Sequence, residues 1–151
     1  MKLTECLTEK TVEVGSTSKD PKAILSRLVD IVLSGGAFMA APALLAQIEA
    51  REKLGSTGIG EGVAIPHVHV KGIKKLNVAM MTVPAGVEFD AIDGQPCSIF
   101  IIVVGPDEDR EGYLKLLAEV ARILRQPSVR KAVLAAKTPA ELLKTLQAAE
   151  A

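Results

Sequence analysis

Both histidines of the chain, His67 and His69, lie at the end of a glycine-rich stretch, residues 55–69, with the sequence GSTGIGEGVAIPHVH. The stretch also holds four glycines and two hydroxyl side chains. Glycine loses more backbone entropy on folding than other residues and has no side chain to bury. Such a segment is better suited to bringing backbone N–H groups close to a ligand than to filling a core. The composition therefore predicts that this stretch is a ligand-binding or catalytic site.

One interpretation of this stretch is a metal site. His67 and His69 are two residues apart, so on an extended backbone their side chains point to the same face. Zinc needs a third ligand and usually a fourth. The remaining candidates are carboxylates such as Glu61, Glu88 and Asp90, and no spacing singles one of them out. The ligand count therefore argues against a metal.

A nucleotide-binding loop is a second interpretation. Residues 58–62 match G-x-G-x-G rather than G-x-G-x-x-G, and the glycines are not followed by Lys and then Ser or Thr. A signal this weak arises easily by chance, so the sequence gives little support to nucleotide binding.

In the third interpretation His67 is a nucleophile that carries a phosphoryl group. Near neutral pH an imidazole is uncharged for much of the time, and its free nitrogen can attack phosphorus. The product carries about two negative charges. Backbone N–H groups of the glycine stretch, the hydroxyls of Ser56 and Thr57 and the guanidinium of Arg51 are suitable donors to them. Composition alone leaves open a plainer role for His67, as a hydrogen-bonded histidine at the end of a strand.

Two helices are expected before the site. Asp20 and Pro21 have the residue types of an N-cap and a first helical position, and apolar spacing continues the helix to about residue 33. A second helix begins at Pro42 and ends before Gly55, which suits the left-handed position after a helix. Arg51 then falls in the last turn of the second helix, close to the glycine stretch.

Three helices are expected after the site. The longest covers about residues 109–125, and its apolar stripe consists of Leu114, Leu117, Val120, Ala121 and Leu124. A short helix begins at Pro127. The closing helix begins with a capping box at Thr138.

Strands are expected at residues 11–14, 76–83 and 97–104, with a loop over residues 89–96. The run at 97–104 is almost wholly apolar and rich in β-branched residues, as in a strand that is covered on both faces. Helices before and after the strands predict an α/β fold, a mixed β-sheet sandwiched between helices on both faces. We expect one domain over residues 1–151.

The overall composition narrows the possible partners. Eighteen basic residues balance eighteen acidic ones, so no global field favours nucleic acid or an anionic membrane. Cys6 and Cys97 lie far apart and form no metal-ligand pair with the histidines. The sequence contains no signal peptide and no apolar run of transmembrane length, which predicts a cytoplasmic protein.

Residues 51–67, with the sequence REKLGSTGIGEGVAIPH, closely resemble the phosphorylation-site signature of enzyme IIA proteins of the bacterial phosphotransferase system. The class is the fructose/mannitol one, which includes the nitrogen-regulatory IIA proteins. Residues 89–96, FDAIDGQP, are similar to the same family, and the resemblance covers nearly the whole chain. It implies an α/β sandwich without a cofactor, in which His67 takes phosphate from a histidine-containing phosphocarrier protein. Arg51, Ser56 and Thr57 would lie around the phosphorylated ring.

The chain departs from the family at one position of the expected site. Members often carry a second active-site histidine at the start of the long helix, where this chain has Tyr113. A tyrosine hydroxyl can donate to phosphate but brings no positive charge. Losing a charge-assisted hydrogen bond is worth about 1.5–3 kcal/mol, or roughly ten- to a hundredfold. His69 is a candidate substitute on the strength of its spacing from His67.

The resemblance implies that the phosphate passes on to a IIB component or that the phosphorylation state itself controls a partner protein. We expect a standalone IIA component. Tyr113, in place of the second histidine, favours a regulatory role. The alternative hypothesis is a non-catalytic regulatory interaction module that keeps the fold but transfers phosphate poorly. A metal protein that uses His67 and His69 is a third hypothesis.

Overall fold

The computed structural model describes residues 2–151, which form six β-strands and five α-helices. The strands are β1 (Val12–Glu13), β2 (Gly58–Gly60), β3 (Val63–Ala64), β4 (His67–Val70), β5 (Asn77–Val87) and β6 (Cys97–Pro106). The helices are α1 (Pro21–Ser34), α2 (Ala41–Lys53), α3 (Arg110–Leu124), α4 (Pro127–Ala135) and α5 (Pro139–Glu150). Two short 3-10 helices, Leu3–Cys6 and Glu9–Thr11, precede β1.

The strands form one mixed sheet with β6 at its centre. Strand β5 pairs antiparallel with one edge of β6 and parallel with β1. The other edge of β6 pairs in parallel first with β3 and then with β4, and β2 pairs antiparallel with β3. Strand β6 thus holds two segments of the glycine-rich stretch, β3 and β4, in register.

Each face of the sheet is covered by its own apolar core, which confirms the predicted α/β fold. Helices α1 and α2 contribute to one core, and α3, α4 and α5 contribute to the other. The side chains of β6 alternate between the two cores, with Ile99, Ile101 and Val103 on the α3 side and Phe100, Ile102 and Val104 on the α1 side. Burying each such side chain stabilises the fold by about 1.5–3 kcal/mol.

Helix α1 begins as predicted, because the side chain of Asp20 accepts a hydrogen bond from the N–H of Lys22 at 3.1 Å. The start of α5 is also confirmed. The hydroxyl of Thr138 accepts from the N–H of Glu141 at 3.1 Å, and the Glu141 carboxylate accepts from the N–H of Lys137 at 3.0 Å. These bonds satisfy N–H groups that have no partner inside a helix.

The predicted apolar stripe of α3 was right at Val120 and Leu124, which are buried, and wrong at Leu114. Tyr113 and Leu116 point into the core, whereas Leu114 is 62% exposed. Leu114 lines the cleft described below, and Leu117 both lines that cleft and packs against the core. A period of 3.6 residues fits both stripes, and only the packing of α3 against β6 decides between them.

Part of the glycine-rich stretch forms strands. Strands β2 and β3 pair across a turn at Glu61 and Gly62, where φ is +60° and +77°. Turns of two residues between antiparallel strands need such positive φ values, which explains glycine at position 62. The Glu61 N–H donates to the carboxylate of Asp93 at 3.0 Å and ties this hairpin to the 89–96 loop.

Candidate functional site

The two histidines lie on β4 with their side chains towards α3. His67 is paired with Val103 and His69 with Gly105 on the neighbouring strand β6. The ring of Tyr113, in the first turn of α3, packs against both of them. Its centroid lies 6.0 Å from that of His67 and 5.6 Å from that of His69, the latter edge to face. Strand pairing and the docking of α3 thus bring three rings together.

These rings line a cleft between α2, β4 and α3, which we call the His67 cleft. Its lining residues are Gln47, Ala50, Arg51, Leu54, His67, Val68, His69, Tyr113, Leu114 and Leu117. Four of the predicted site residues therefore meet in one place, namely Arg51, His67, His69 and Tyr113.

The tautomer of His67 follows from its backbone contact. Nδ1 of His67 lies 2.5 Å from the carbonyl oxygen of Ile65. A carbonyl oxygen can only accept, so Nδ1 carries the hydrogen. In the neutral ring the lone pair is then on Nε2. The local fold thus fixes the orientation of the ring and selects the nitrogen that can act as a nucleophile.

His69 has a different partner, a carboxylate at the end of β6. Nδ1 of His69 lies 3.0 Å from Oδ1 of Asp107, and both side chains are about one-third exposed. The same oxygen lies 3.4 Å from Nη2 of Arg110. A carboxylate at this distance orients the imidazole of His69 by accepting a hydrogen bond from Nδ1. The sequence analysis missed Asp107, whose only signal was its place just after the predicted end of the central strand.

Tyr113 is 6% exposed and fills the space above Gly105. A Cβ atom at Gly105 would lie 2.5 Å from Cδ1 of Tyr113, so only glycine lets the ring come this close. Burial raises the pKa of Tyr113 to about 12, and the positive charges of Arg51 and Arg110 act in the opposite direction. Tyr113 is therefore a neutral hydroxyl donor at physiological pH.

Arg51 lies in the last turn of α2 and closes the cleft from that side. Its Nη1 donates to the carbonyl oxygen of Gly55 at 2.8 Å. A guanidinium has five N–H donors, and this contact uses one. Gly55 has a φ of +148°, which residues with a side chain rarely adopt. Arg51 thus holds the chain where it leaves α2 and presents a cation to the cleft.

The structure does not bring the hydroxyls of Ser56 and Thr57 to the His67 cleft. Ser56 donates to the carbonyl oxygen of Phe89 at 2.6 Å and accepts from the N–H of Gly58 at 3.0 Å. Thr57 is 2% exposed, and its hydroxyl donates to the carboxylate of Glu52. Both hydroxyls hold the connection between α2 and β2 in place.

Two exposed leucines flank the cleft. Leu54 is 84% exposed at the end of α2, and Leu114 is 62% exposed on α3. Large apolar side chains that are exposed next to a polar site often mark a surface for another protein.

Two structural features bear on metal binding and on membranes. Among residues 2–151, no group of three or more His, Cys, Asp or Glu side chains has an arrangement that could hold a metal ion. In the same part of the chain, every helix is too short or too polar to cross a bilayer.

The family model described as "Phosphoenolpyruvate-dependent sugar phosphotransferase system, EIIA 2" matches residues 5–149. A nitrogen regulatory protein of Pseudomonas aeruginosa is 32% identical over 138 residues, which are 91% of this chain and 90% of that protein.

Two solved structures share the fold. The crystal structure of the nitrogen regulatory protein IIA-Ntr from Neisseria meningitidis has a TM-score of 0.89 and 28% identity, and the match covers 95% of this chain and 98% of that one. The mannitol IIA protein of Escherichia coli, solved in complex with phosphorylated IIB, has a TM-score of 0.77 at 19% identity, over 94% of this chain and 97% of that one. The chain therefore belongs to the EIIA 2 family of the phosphoenolpyruvate-dependent sugar phosphotransferase system.

Proposed function

We propose that this protein carries a phosphoryl group on Nε2 of His67, which it accepts from a histidine phosphocarrier protein. The observation that carries the proposal is the hydrogen bond from Nδ1 of His67 to the carbonyl oxygen of Ile65. It leaves the lone pair on Nε2, in a side chain that lines an open cleft beside Arg51. An imidazole fixed in this tautomer is ready for nucleophilic attack on phosphorus.

The transfer needs no proton from the cleft. The lone pair of Nε2 forms the new N–P bond, while the N–P bond of the donor breaks and leaves its electron pair on the donor's nitrogen. A PO₃⁻ unit moves between two imidazoles. His67 keeps its Nδ1–H on the carbonyl of Ile65 throughout, so the ring does not have to turn.

Arg51 and Tyr113 would donate hydrogen bonds to the oxygens of the phosphoryl group. Arg51 lines the cleft with donors beyond the one that Gly55 uses. Tyr113 adds a neutral hydroxyl, because its pKa is raised to about 12. Guanidinium N–H groups match phosphate oxygens in pairs, which suits a group that must be bound and released. Ser56 and Thr57 support the phosphate indirectly, through the chain segment that they hold.

The partners follow from the family and its relatives. The exposed side chains of Leu54 and Leu114 would pack against the phosphocarrier around the two reacting imidazoles. From His67 the phosphate would pass to a IIB component, the class of protein in the complex with the E. coli mannitol protein. In a regulatory role, by analogy with the nitrogen regulatory relatives, the phosphorylation state would control a partner protein. We infer that residues 1–151 act as one EIIA domain in the cytoplasm.

Labelling from phosphoenolpyruvate tests the proposal. The protein is incubated with ³²P-labelled phosphoenolpyruvate and the general phosphotransferase proteins, and the product is treated with acid and with alkali. We expect a label that is lost in acid, is stable in alkali and is absent from His67→Gln. Ser128→Ala, an exposed residue at the start of α4, is the control that should keep the label.

The same experiment separates the proposal from its alternative, a regulatory interaction module with impaired phosphotransfer. Tyr113 favours that alternative, because its neutral ring occupies the wall of the cleft facing both histidines. A folded protein that takes no label would identify such a module. A label that survives His67→Gln would place the phosphate on another residue and overturn the proposal.

A further inference from the structure

We propose that Glu52 is a positioning residue for phosphoryl transfer, which sets the orientation of the His67 ring. It acts through hydrogen bonds made by Thr57 and Ile65, and we call this series of bonds the Glu52 connection. The role in transfer rests on the proposed function, whereas the effect on the ring is measurable without phosphate.

The first bond of the connection joins α2 to the residue before β2. The carboxylate of Glu52, in the last turn of α2, accepts from the N–H of Thr57 at 3.3 Å and from the Thr57 hydroxyl. Thr57 is 2% exposed, so its two donors depend on this carboxylate rather than on bulk water. Glu52 therefore holds both the side chain and the backbone of Thr57 in place.

The second bond crosses from Thr57 to the segment that leads into β4. The N–H of Ile65 donates to the carbonyl oxygen of Thr57 at 3.0 Å, at the open end of the hairpin formed by β2 and β3. Pro66 follows Ile65 and has no N–H of its own. The N–H of Ile65 is therefore the last backbone donor before His67, and Thr57 is its acceptor.

The third bond reaches the ring. The carbonyl oxygen of Ile65 lies 2.5 Å from Nδ1 of His67 and accepts its hydrogen. Ile65 is 5% exposed, and its N–H and C=O are both used within the connection. A shift of Ile65 that lengthens its bond to Thr57 also moves the acceptor of the His67 ring.

Strand β6 holds the same segment from the other side, but at a different point. The N–H of Val103 donates to the carbonyl oxygen of Pro66 at 3.0 Å, and Val103 is the strand partner of His67. These contacts place the backbone of His67. The direction of its ring depends in addition on the carbonyl oxygen of Ile65, one peptide earlier, which the Glu52 connection holds.

The orientation of the ring matters because only one nitrogen can react. With the hydrogen on Nδ1, the neutral ring has its lone pair on Nε2. If the acceptor at Ile65 moves, the ring can turn or take the other tautomer, which has its hydrogen on Nε2 and no lone pair there. Misplacing a reacting atom by about 1 Å can slow a reaction about a hundredfold. Loss of the Glu52 carboxylate should therefore slow transfer although this group lies outside the His67 cleft.

The first test measures the ring in the absence of phosphate. Long-range ¹H–¹⁵N NMR spectra of the ¹⁵N-labelled protein are recorded with the pH raised until the ring shifts no longer change, and His67→Gln assigns the two histidines. We expect wild-type His67 to show the tautomer with hydrogen on Nδ1. In Glu52→Ala the two ring nitrogen shifts of His67 should move towards each other, because the two tautomers then exchange.

The second test measures transfer. Phosphorylated phosphocarrier is mixed with wild type or Glu52→Ala, and the phosphate on His67 is followed by rapid quench at increasing phosphocarrier concentration. We expect the rate at saturation to fall roughly threefold to thirtyfold, with the half-saturating concentration changed by less than about twofold. Such a split indicates that docking is intact and that the reacting groups are misplaced.

Matched variants separate this role from general stability, and all are compared at a temperature at which circular dichroism shows them folded. Glu52→Gln should restore the wild-type ring shifts and most of the rate, because its amide can accept from the N–H of Thr57 and donate to the hydroxyl. Glu49→Ala is the control that should leave both unchanged. It removes a carboxylate one turn earlier on α2 that lines the same cavity beside α1 as Glu52.

A variant at the other end of the first bond keeps the test decisive if Glu52→Ala does not fold. Thr57→Val removes the hydroxyl bond and keeps the N–H bond, so it should change the ring shifts and the rate in the same direction by a smaller amount. Where Glu52→Ala does fold, adding Thr57→Val should slow transfer no further, because both changes break the same connection.

The outcomes distinguish this inference from the proposed function. A wild-type protein that accepts no phosphate would overturn the proposed function and, with it, the role of Glu52 in transfer, whatever the NMR spectra show. A wild-type protein that accepts phosphate, together with folded variants that keep the wild-type rate, would overturn the role of Glu52 alone. A slower rate with unchanged nitrogen shifts of His67 would also overturn it, because Glu52 would then act by another route.

Discussion

The imidazole of His67 is tied to the backbone two residues before it, with Nδ1 2.5 Å from the carbonyl oxygen of Ile65. Pro66 lies between the two residues, and its ring restricts the backbone that sets this distance. The nucleophilic nitrogen is therefore selected within a run of three consecutive residues.

The first prediction follows from this bond. Phosphorylation should occur on Nε2 of His67, because Nδ1 is occupied as a donor. Two-dimensional ¹H–¹⁵N NMR of the phosphorylated protein, with ³¹P coupling, identifies the substituted nitrogen directly. A phosphoryl group on Nδ1 would contradict the geometry, since the contact with Ile65 would have to break.

The second prediction concerns Thr57, which is 2% exposed and donates to the carboxylate of Glu52. Thr57→Val keeps the shape of the side chain but removes its hydroxyl donor, so that the carboxylate of Glu52 keeps only the hydrogen bond from the N–H of Thr57 at 3.3 Å. We expect a loss of about 1–3 kcal/mol in the free energy of unfolding. Urea denaturation measures it. Thr17→Val, at an exposed loop position, is the matched control and should change stability by less than about 0.5 kcal/mol. Equal effects at the two positions would show that the buried bond contributes nothing.

The third prediction uses the fact that Tyr113 is the only tyrosine of the chain, which has no tryptophan. Absorbance at about 295 nm therefore reports its ionisation alone. Burial raises its pKa in the folded protein from the ordinary value of 10 to about 12. The native protein should titrate near pH 12, and the protein unfolded in urea near pH 10.

The same shift predicts how stability depends on alkaline pH. A pKa that is higher in the folded state means that the contribution of the phenol is complete below pH 10 and is lost as pH rises through the folded value of about 12. Wild-type protein should therefore lose stability relative to Tyr113→Phe between these two values. If both proteins lose stability in parallel, the phenol is not buried as described.

The fourth prediction concerns the contact between Gly105 and Tyr113. A Cβ atom at position 105 would lie 2.5 Å from Cδ1 of the ring, so Gly105→Ala must displace Tyr113. We expect a loss of about 1–3 kcal/mol, typical of overpacking. In a double-mutant cycle, Gly105→Ala should be much less damaging in a Tyr113→Ala background, because the clash is then absent. Strict additivity would assign the effect to the backbone of β6 instead.

Much of the fold could be predicted from the sequence because its signals are local. The N-caps at Asp20 and Thr138 and the apolar run that became β6 depend on neighbouring residues, and the structure confirms them. The second bond of the predicted capping box differs, because Glu141 accepts from the N–H of Lys137 rather than from that of Thr138. Strands β2 and β4 were not predicted. Their residues include two glycines and two histidines, which have weak strand preferences, and pairing with β3 and β6 holds them extended.

The sequence could indicate which residues lie close together around His67 but not the direction of their side chains. Arg51, His69 and Tyr113 do meet His67 in one cleft. Ser56 and Thr57 are close to that cleft in sequence, yet their hydroxyls bond to Phe89 and Glu52. Spacing along the chain does not show which way a side chain turns. The sequence could not predict the contact between Asp107 and His69 either, because that contact depends on the register between β4 and β6.

The way the His67 cleft is assembled has a consequence for biosynthesis. Its wall is made of three separate segments, and its lining residues extend from Gln47 on α2 to Leu117 on α3. A nascent chain on the ribosome therefore contains His67 well before it contains the opposite side of the cleft. The complete cleft first exists after residue 117 has been added and has left the exit tunnel. Until then the imidazole of His67 is present in the chain without the folded cleft around it.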